Sequence, residues 1–385
     1  MKVAILGANF LQNRLVLKAK ELGIKTYVFA LPEGAVAKNN CDVFFPISIT
    51  EKEEILKICK KENIDGICSI ASDIAVPTVN YIAEQLNLVG NSFECSRLTT
   101  NKFNMREALV KKNLPCPKYL LLGENEIEDI QNLSLSFPLI VKPVDRSGSR
   151  GIFKVNNLSE LEEAIVKASR ESFLDKVIVE EFIGGEEYSV EAVSINGQHK
   201  ILQYTKKYTT GSPHFIEIGH VQPAELSNKI IKKIEEIIKS SLDALDIKNG
   251  ISHSEIKIVN EDVKIIEIAS RMGGDFIGSD LVKLSTGIDL LELTLLISLN
   301  KMIPNNKLEA TKENFSMIRY IITEEEYEIM KNLENKLSKN ILEKSIEKTF
   351  VETKDSTSRN GYYILSFDDK ETMNKYINKI FKKEF

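Results

Sequence analysis

Residues 265–275 read IIEIASRMGGD, with a carboxylate, Glu267, inside an apolar run, an arginine, Arg271, four residues later, and then a glycine pair. Residues 263–269 alternate with a period of two and predict a β-strand. A strand that only packs has no use for a charge at its centre. Residues 251–259 alternate in the same way, and Asn260–Glu261–Asp262 between the two runs predicts a hairpin with a three-residue turn. In that register Glu255 stands opposite Glu267 on one face, with Cβ atoms about 4.5–5.5 Å apart. Like charges that close destabilise a sheet unless something relieves them. A divalent cation does so, because Mg2+ is held by carboxylates together with nucleotide phosphates and water. The same alternation puts Arg271 on the face of Glu267, where it can stabilise charge on a transferring phosphoryl or acyl-phosphate group. A solvent-facing strand with trivial ion pairs would not carry Ile265, Ile266 and Ile268 on both its faces. A two-residue turn would put the glutamates out of register.

Upstream, DRSGSRG (145–151) lies between the predicted strands PLIVKP (138–143) and IFKV (152–155). Its small and basic residues expose N–H groups suited to phosphate, although no G-K-[ST] closes it as a Walker A loop. Lys142 sits in an apolar strand just before the loop and needs a partner, for which phosphate oxygens are natural. In VEEFIGGEEYSVE (179–191) a strand ends in two carboxylates, an apolar pair and two glycines. Such an extended segment can hydrogen-bond an adenine edge, with a carboxylate further on for ribose hydroxyls. Ser159 and Glu162 predict a capping box opening the next helix, and Thr50 and Glu53 predict another for helix 51–62.

The first hundred residues alternate strand-like runs, KVAILG (2–7), KTYVFAL (25–31) and GICSI (66–70), with helical patterns such as 14–23. This predicts a doubly wound parallel sheet. Its first turn, GANFLQ, has Asn9 where a dinucleotide-binding loop needs a close-approach glycine. Beyond a basic amphipathic helix at 101–113, the block to residue 182 reads as a small lobe. An amphipathic helix follows at 228–246, then a mostly apolar helix at 280–300 and a tail with strands SMIRYII and GYYILSF. The fold class is therefore α/β and α+β multidomain: 1–100 an N-terminal α/β domain, 101–182 a small lobe with the phosphate loop, 183–385 a large lobe with the acidic hairpin and an α+β extension.

A chain of 385 residues with 43% hydrophobic and 28% charged residues is long enough for several well-buried cores. Its net charge of −5 excludes a bias toward nucleic acid or an anionic membrane. Five cysteines, all between Cys41 and Cys116, form no C-x-x-C pair and predict reduced, buried thiols. No stretch reaches the ~18 apolar residues of a membrane helix, and the N-terminus runs directly into a strand. These features predict a cytoplasmic protein. His199, His214, His220 and His253 have no zinc-site spacing, and no G-x-S-x-G nucleophile motif occurs.

Taken in order, Lys102 in NKFNMRE, IVKPVDRSGSRG, VIVEEFIGGEEYSVE, Glu255 and EIASRMGGD resemble the ATP-grasp superfamily, and SIASDIAVP (69–77) resembles part of its preceding α/β domain. HFIEIGHVQPAEL (214–226) and STSRNGYYILSF (356–367) resemble segments of its carboxylate–amine ligases of the L-amino acid ligase type. The resemblance implies an N-terminal doubly wound sheet followed by a two-lobed ATP-grasp fold. It implies that Lys102 and Lys142 contact ATP phosphates and that Ser147, Gly148 and Ser149 close over them. Glu180, Glu181 and Ile183 would line the adenine edge, with Glu187 on the ribose. Glu255 and Glu267 would hold Mg2+, or Mn2+ in its place. Arg271 would steady an acyl-phosphate, with His220, Gly273 and Gly274 at the substrate end. Ala269 departs from the asparagine that many members carry there, so one metal ligand is missing or supplied otherwise. The partners implied are a small-molecule carboxylate and an amine, with no nucleic acid and no membrane; a homodimer through the N-terminal domain is common in similar enzymes.

The function expected is an ATP-dependent ligase that forms an amide through an acyl-phosphate. Three rivals stand beside it: an ATP-grasp carboxylase or purine-type ligase, a catalytically inactive nucleotide-binding protein, and a nicotinamide dehydrogenase on the N-terminal sheet. Phe215, Tyr204 and Tyr208 are expected as walls of the side-chain pocket.

Overall fold

The computed structural model describes residues 1–123, 134–148, 150–212 and 215–381. Ser149 and His214 fall outside the described residues. Three sheets organise the chain. The first is parallel, with β1 (Lys2–Leu6), β2 (Lys25–Phe29), β3 (Val43–Phe45) and β4 (Gly66–Cys68) in the order β3-β2-β1-β4. Val3, Ala4, Ile5 and Leu6 have no exposed surface, as strands covered on both faces require. The GANFLQ turn is occupied with capping: Asn9 accepts from the N–H groups of Leu11 and Gln12, and the Gln12 side chain accepts from the Asn9 N–H at 3.1 Å. The capping box expected at Thr50 and Glu53 is absent. Helix Lys52–Glu62 begins without a side-chain cap, because Glu53 accepts from the Tyr81 hydroxyl and Thr50 pairs with Ser48.

The second sheet is antiparallel: β5 (Tyr119–Gly123), β6 (Leu139–Pro143), β7 (Phe153–Val155) and β8 (Lys176–Glu181), ordered β5-β8-β6-β7. Its helix, Leu158–Glu171, is capped two residues earlier than expected. Asn157 accepts from the Glu160 N–H, and the Glu160 carboxylate accepts from the Asn156 N–H at 2.9 Å.

The third sheet has eight strands: β9 (Glu186–Ile195), β10 (Gln198–Thr209), β11 (Glu217–Gln222), β12 (Gly250–Val259), β13 (Asp262–Ala269), β14 (Phe315–Ile321), β15 (Ile341–Ile346) and β16 (Gly361–Phe367). They follow the order β13-β12-β9-β10-β11-β14-β16-β15, each neighbouring pair antiparallel. Helix Asn228–Ala244 covers one face, packing Ile230, Ile234, Ile238 and Leu242 on Val190, Ala192, Ile256, Ile265 and Ile268. The other face of the same strands carries the polar residues. The single helix expected over 280–300 is instead a π-turn (Ile277–Leu281) and two helices (Val282–Thr286, Leu290–Ser298), separated where Gly287 takes φ +83°. Leu290, Leu293 and Leu295 share a core with Val3 and Ile5 of the parallel sheet, with Leu15 and with Val193 and Ile251 of the large sheet.

Candidate active site

Glu255 faces Glu267, as expected, but by a different route. The turn is two residues long, Asn260 and Glu261, both with positive φ, as a type I′ hairpin requires. From Asp262 to Ile265 the pairing therefore runs one residue out of the expected register, until a bulge between Glu255 and Ile256 restores it. The bulge frees the Ile266 carbonyl, which accepts from Arg106 Nη2 at 2.6 Å. Both glutamates are a quarter exposed and open onto a cleft of about 650 Å3.

Each glutamate is held by a lysine. Glu255 Oε1 lies 2.5 Å from Lys207 Nζ, and Glu267 Oε1 lies 3.2 Å from Lys102 Nζ. Lys207 also reaches Glu187 at 2.8 Å and Glu217 at 3.8 Å. Burial works against its charge, yet Glu187, Glu255 and Glu217 outweigh that and hold its pKa well above normal. Burial likewise opposes the charge on Glu255, and Lys207 and His253 overcome it, keeping the carboxyl well below its usual range. Lys102 additionally donates to the Arg146 carbonyl at 2.6 Å, and its backbone N–H donates to the Val144 carbonyl, which fastens its helix to the glycine loop.

Lys142 finds its partner in Glu180, at 2.8 Å, and Arg106 Nε takes the other carboxylate oxygen at 2.7 Å. Glu181, the next residue of β8, points the opposite way and accepts from Lys118 and from the Ser136 N–H. The two glutamates thus cannot present side chains to one ligand edge. Beyond them the chain leaves the sheet, with Phe182 donating to the Pro138 carbonyl and Lys154 over its ring at 4.0 Å.

Arg271 is gripped by Asp73 through Nε–Oδ1 at 2.8 Å and Nη2–Oδ2 at 2.7 Å. Burial would raise the carboxyl of Asp73, and Arg271 brings it below the ordinary value. His253 stands opposite Ala269, as the hairpin predicts; its Nδ1 meets Glu191 and its Nε2 lies 3.6 Å from Glu255. Burial would lower its pKa, but Glu191 and Glu255 raise it to about 9.

His220 Nε2 lies 3.3 Å from Asp275, which also takes a two-pronged grip from Arg359 at 2.7 and 2.8 Å. Arg359 stacks on the Tyr320 ring at 3.4 Å.

Of the sequence-derived residues, the cleft brings together Lys102, Lys142, Ser147, Gly148, His220, Glu255, Glu267, Arg271 and Gly274. Glu187 pairs with Lys207 at 2.8 Å and does not line the cleft, and Gly273 packs against His253 and Glu191. Tyr204 and Tyr208 are not cleft walls. They project from the other face of β10, Tyr204 onto Glu235 and Tyr208 onto Phe381. Asp73, Lys207, Glu191, Asp275 and Arg359 were missed. Period-two alternation along KILQYTKKYT carries a signal for Lys207, since it shares a face with Gln203 and Thr205.

A cation fits between Glu255 and Glu267 by the chemistry of the donors. Among the described residues no group of three or more His, Cys, Asp or Glu side chains converges to enclose an ion. Two carboxylates open to a cleft suit Mg2+, which completes its shell with phosphate and water oxygens.

Residues 135–280, which include the glycine loop, the paired glutamates and Arg271, match the family model described as an ATP-grasp domain. The chain carries an ATP-grasp domain. A formate-dependent phosphoribosylglycinamide formyltransferase of Prochlorococcus marinus subsp. pastoris is 26% identical over 321 residues, 79% of this chain and 77% of that protein. An L-arginine-specific L-amino acid ligase of Bacillus subtilis is 27% identical over 277 residues, 69% of this chain and 66% of that protein. The crystal structure of an L-amino acid ligase from Bacillus licheniformis shares the fold, with a TM-score of 0.81 at 22% identity over 98% of this chain and 96% of that one. The proteins this chain is similar to thus include a formyltransferase and amino acid ligases, which by their names act on different substrates. No helix among the described residues is long and apolar enough to cross a membrane.

Proposed function

We propose that the protein is an ATP-dependent carboxylate–amine ligase that forms an amide through an acyl-phosphate and uses an L-amino acid as one substrate. The observation that carries this is the facing pair Glu255 and Glu267, set in one cleft with Lys102, Lys142 and Arg271. In this reading Lys102 and Lys142 contact the ATP phosphates, and Ser147, Gly148 and Ser149 close over them. The backbone of Glu181 to Ile183 lines the adenine edge, since the Glu180 carboxylate is engaged by Arg106 and Lys142. Glu187 serves the ribose. Mg2+, or Mn2+, held by Glu255 and Glu267 would neutralise phosphate charge.

The substrate carboxylate attacks the γ-phosphate, ADP leaves, and the amine displaces phosphate from the acyl-phosphate. No side chain need form a covalent bond, because positioning and charge neutralisation supply the catalysis. Arg271, held by Asp73, steadies the developing acyl-phosphate, with His220, Gly273 and Gly274 at the substrate end. Similarity to the formyltransferase over 321 residues favours a second reading, in which the same activation step serves a purine-type amine.

The test is phosphate release from ATP and Mg2+ against single and paired amino acids and other small carboxylates, with Glu267→Ala as control. Release that needs an amino acid pair and disappears in the variant supports the ligase reading. Release with another carboxylate and amine moves the substrate to the second reading. ATP binding with no release under any condition overturns both.

A further inference from the structure

Next to the row in which Glu255 faces Glu267 runs another cross-strand row on the same face of the large sheet: Glu191 of β9, His253 of β12 and Ala269 of β13. Glu191 has no exposed surface and His253 is only 7% exposed. They form a run of polar contacts that ends in a charge pair. The Gly273 N–H reaches one Glu191 oxygen at 3.4 Å, the other Glu191 oxygen meets His253 Nδ1, and His253 Nε2 stands 3.6 Å from Glu255 Oε1. Gly273 is seated so closely that a Cβ there would lie 2.7 Å from His253 Nδ1 and 3.1 Å from Glu191 Oε1. Two residues before it lies Arg271.

A carboxylate taken wholly out of water costs several kcal/mol unless it is paired, and apolar residues could fill the same row without that cost. What apolar residues could not do is connect the Gly273 amide to Glu255. We propose that Glu191 and His253 are a positioning pair. Glu191 fixes the imidazole by its Nδ1 and ties down the Gly273 turn, while Nε2 directs the Glu255 carboxylate toward Glu267. Neither residue touches a reacting atom. The inference rests on the reading of Glu255 and Glu267 as the metal carboxylates.

The test uses the full chain, with Mn2+ binding in the presence of ADP followed by electron paramagnetic resonance and with melting midpoints taken without metal. Glu255→Gln is the reference for loss of the site. Glu191→Gln is expected to weaken Mn2+ binding by roughly 10–100-fold, the range seen when the partner of a metal ligand is removed. His253→Asn separates positioning from folding, since its amide can still donate to Glu191 but cannot reach Glu255. It is expected to weaken Mn2+ binding to a similar degree while melting close to the wild type. A folded His253→Asn variant that binds Mn2+ within about twofold of the wild type, far short of that range, overturns the positioning pair alone. Unchanged Mn2+ binding in Glu255→Gln overturns the metal reading and the inference with it.

Discussion

Arg271 and Asp73 stand 198 positions apart and meet through two nearly parallel hydrogen bonds of 2.8 and 2.7 Å. One comes from just beyond β13 of the large sheet and the other from the turn that follows β4 of the parallel sheet, so the fork of Arg271 is aimed by a residue far from it in the chain. Lysine keeps the charge but not the fork. Arg271→Lys is expected to lower the rate of ATP-dependent phosphate release on the order of a hundredfold, with little change in nucleotide affinity. Parallel kcat and binding measurements check this. Wild-type kcat in the variant would remove Arg271 from the chemistry.

Lys207 pairs at once with Glu187, Glu255 and Glu217, at 2.8, 2.5 and 3.8 Å. Lys207→Met leaves carboxylates uncompensated in a buried setting and is expected to cost roughly 3–5 kcal/mol. Because Mg2+ would supply the missing charge, the variant's melting midpoint should rise with Mg2+ more steeply than that of the wild type. Equal slopes in a thermal-shift titration would argue that no cation enters between the glutamates.

Glu180 is wholly enclosed. Burial alone would raise its pKa, and Arg106 and Lys142 bring it below the ordinary glutamate value. A depressed carboxyl contributes stability above its unfolded value and loses it as the pH falls through the folded value. Glu180→Gln should therefore flatten the acid limb of stability below about pH 4.5 and destabilise the protein at neutral pH by roughly 3–5 kcal/mol. Denaturant melts at pH 3 to 7 decide this, and an unchanged acid limb refutes it.

Burial pushes the thiols of Cys59, Cys68 and Cys95 up to about 12. Only thiolate alkylates at a useful rate. At pH 8 the native protein is expected to resist iodoacetamide at these three positions, with any native labelling confined to the half-buried Cys41 and Cys116. Peptide mapping before and after denaturation reads the difference.

Much of this molecule follows from local pattern. Period-two alternation and β-branched runs located most of the strands, though not β3, β5, β10, β11 or β15, and a charge inside an apolar strand marked Glu255, Glu267 and Lys142, because a buried charge needs a reason wherever the chain goes. The structure confirmed the facing glutamates even though the predicted turn was one residue too long. The bulge at Glu255 and Ile256 cancels the error, and a bulge leaves no composition signal.

Which partner each charge takes was a matter for tertiary structure alone. Lys142 meets Glu180, Arg271 meets Asp73, Lys207 gathers three carboxylates, and His253 bridges Glu191 to Glu255. Apart from His253 and Glu255, two positions apart on β12, those pairings join residues on different elements, so no spacing rule along one element encodes them. The sequence by itself determined most of the strands, the acidic hairpin and the type of chemistry that a pair of carboxylates invites. The fold alone decided which cations neutralise them and which neighbours aim them, because the strand order of the large sheet sets those distances.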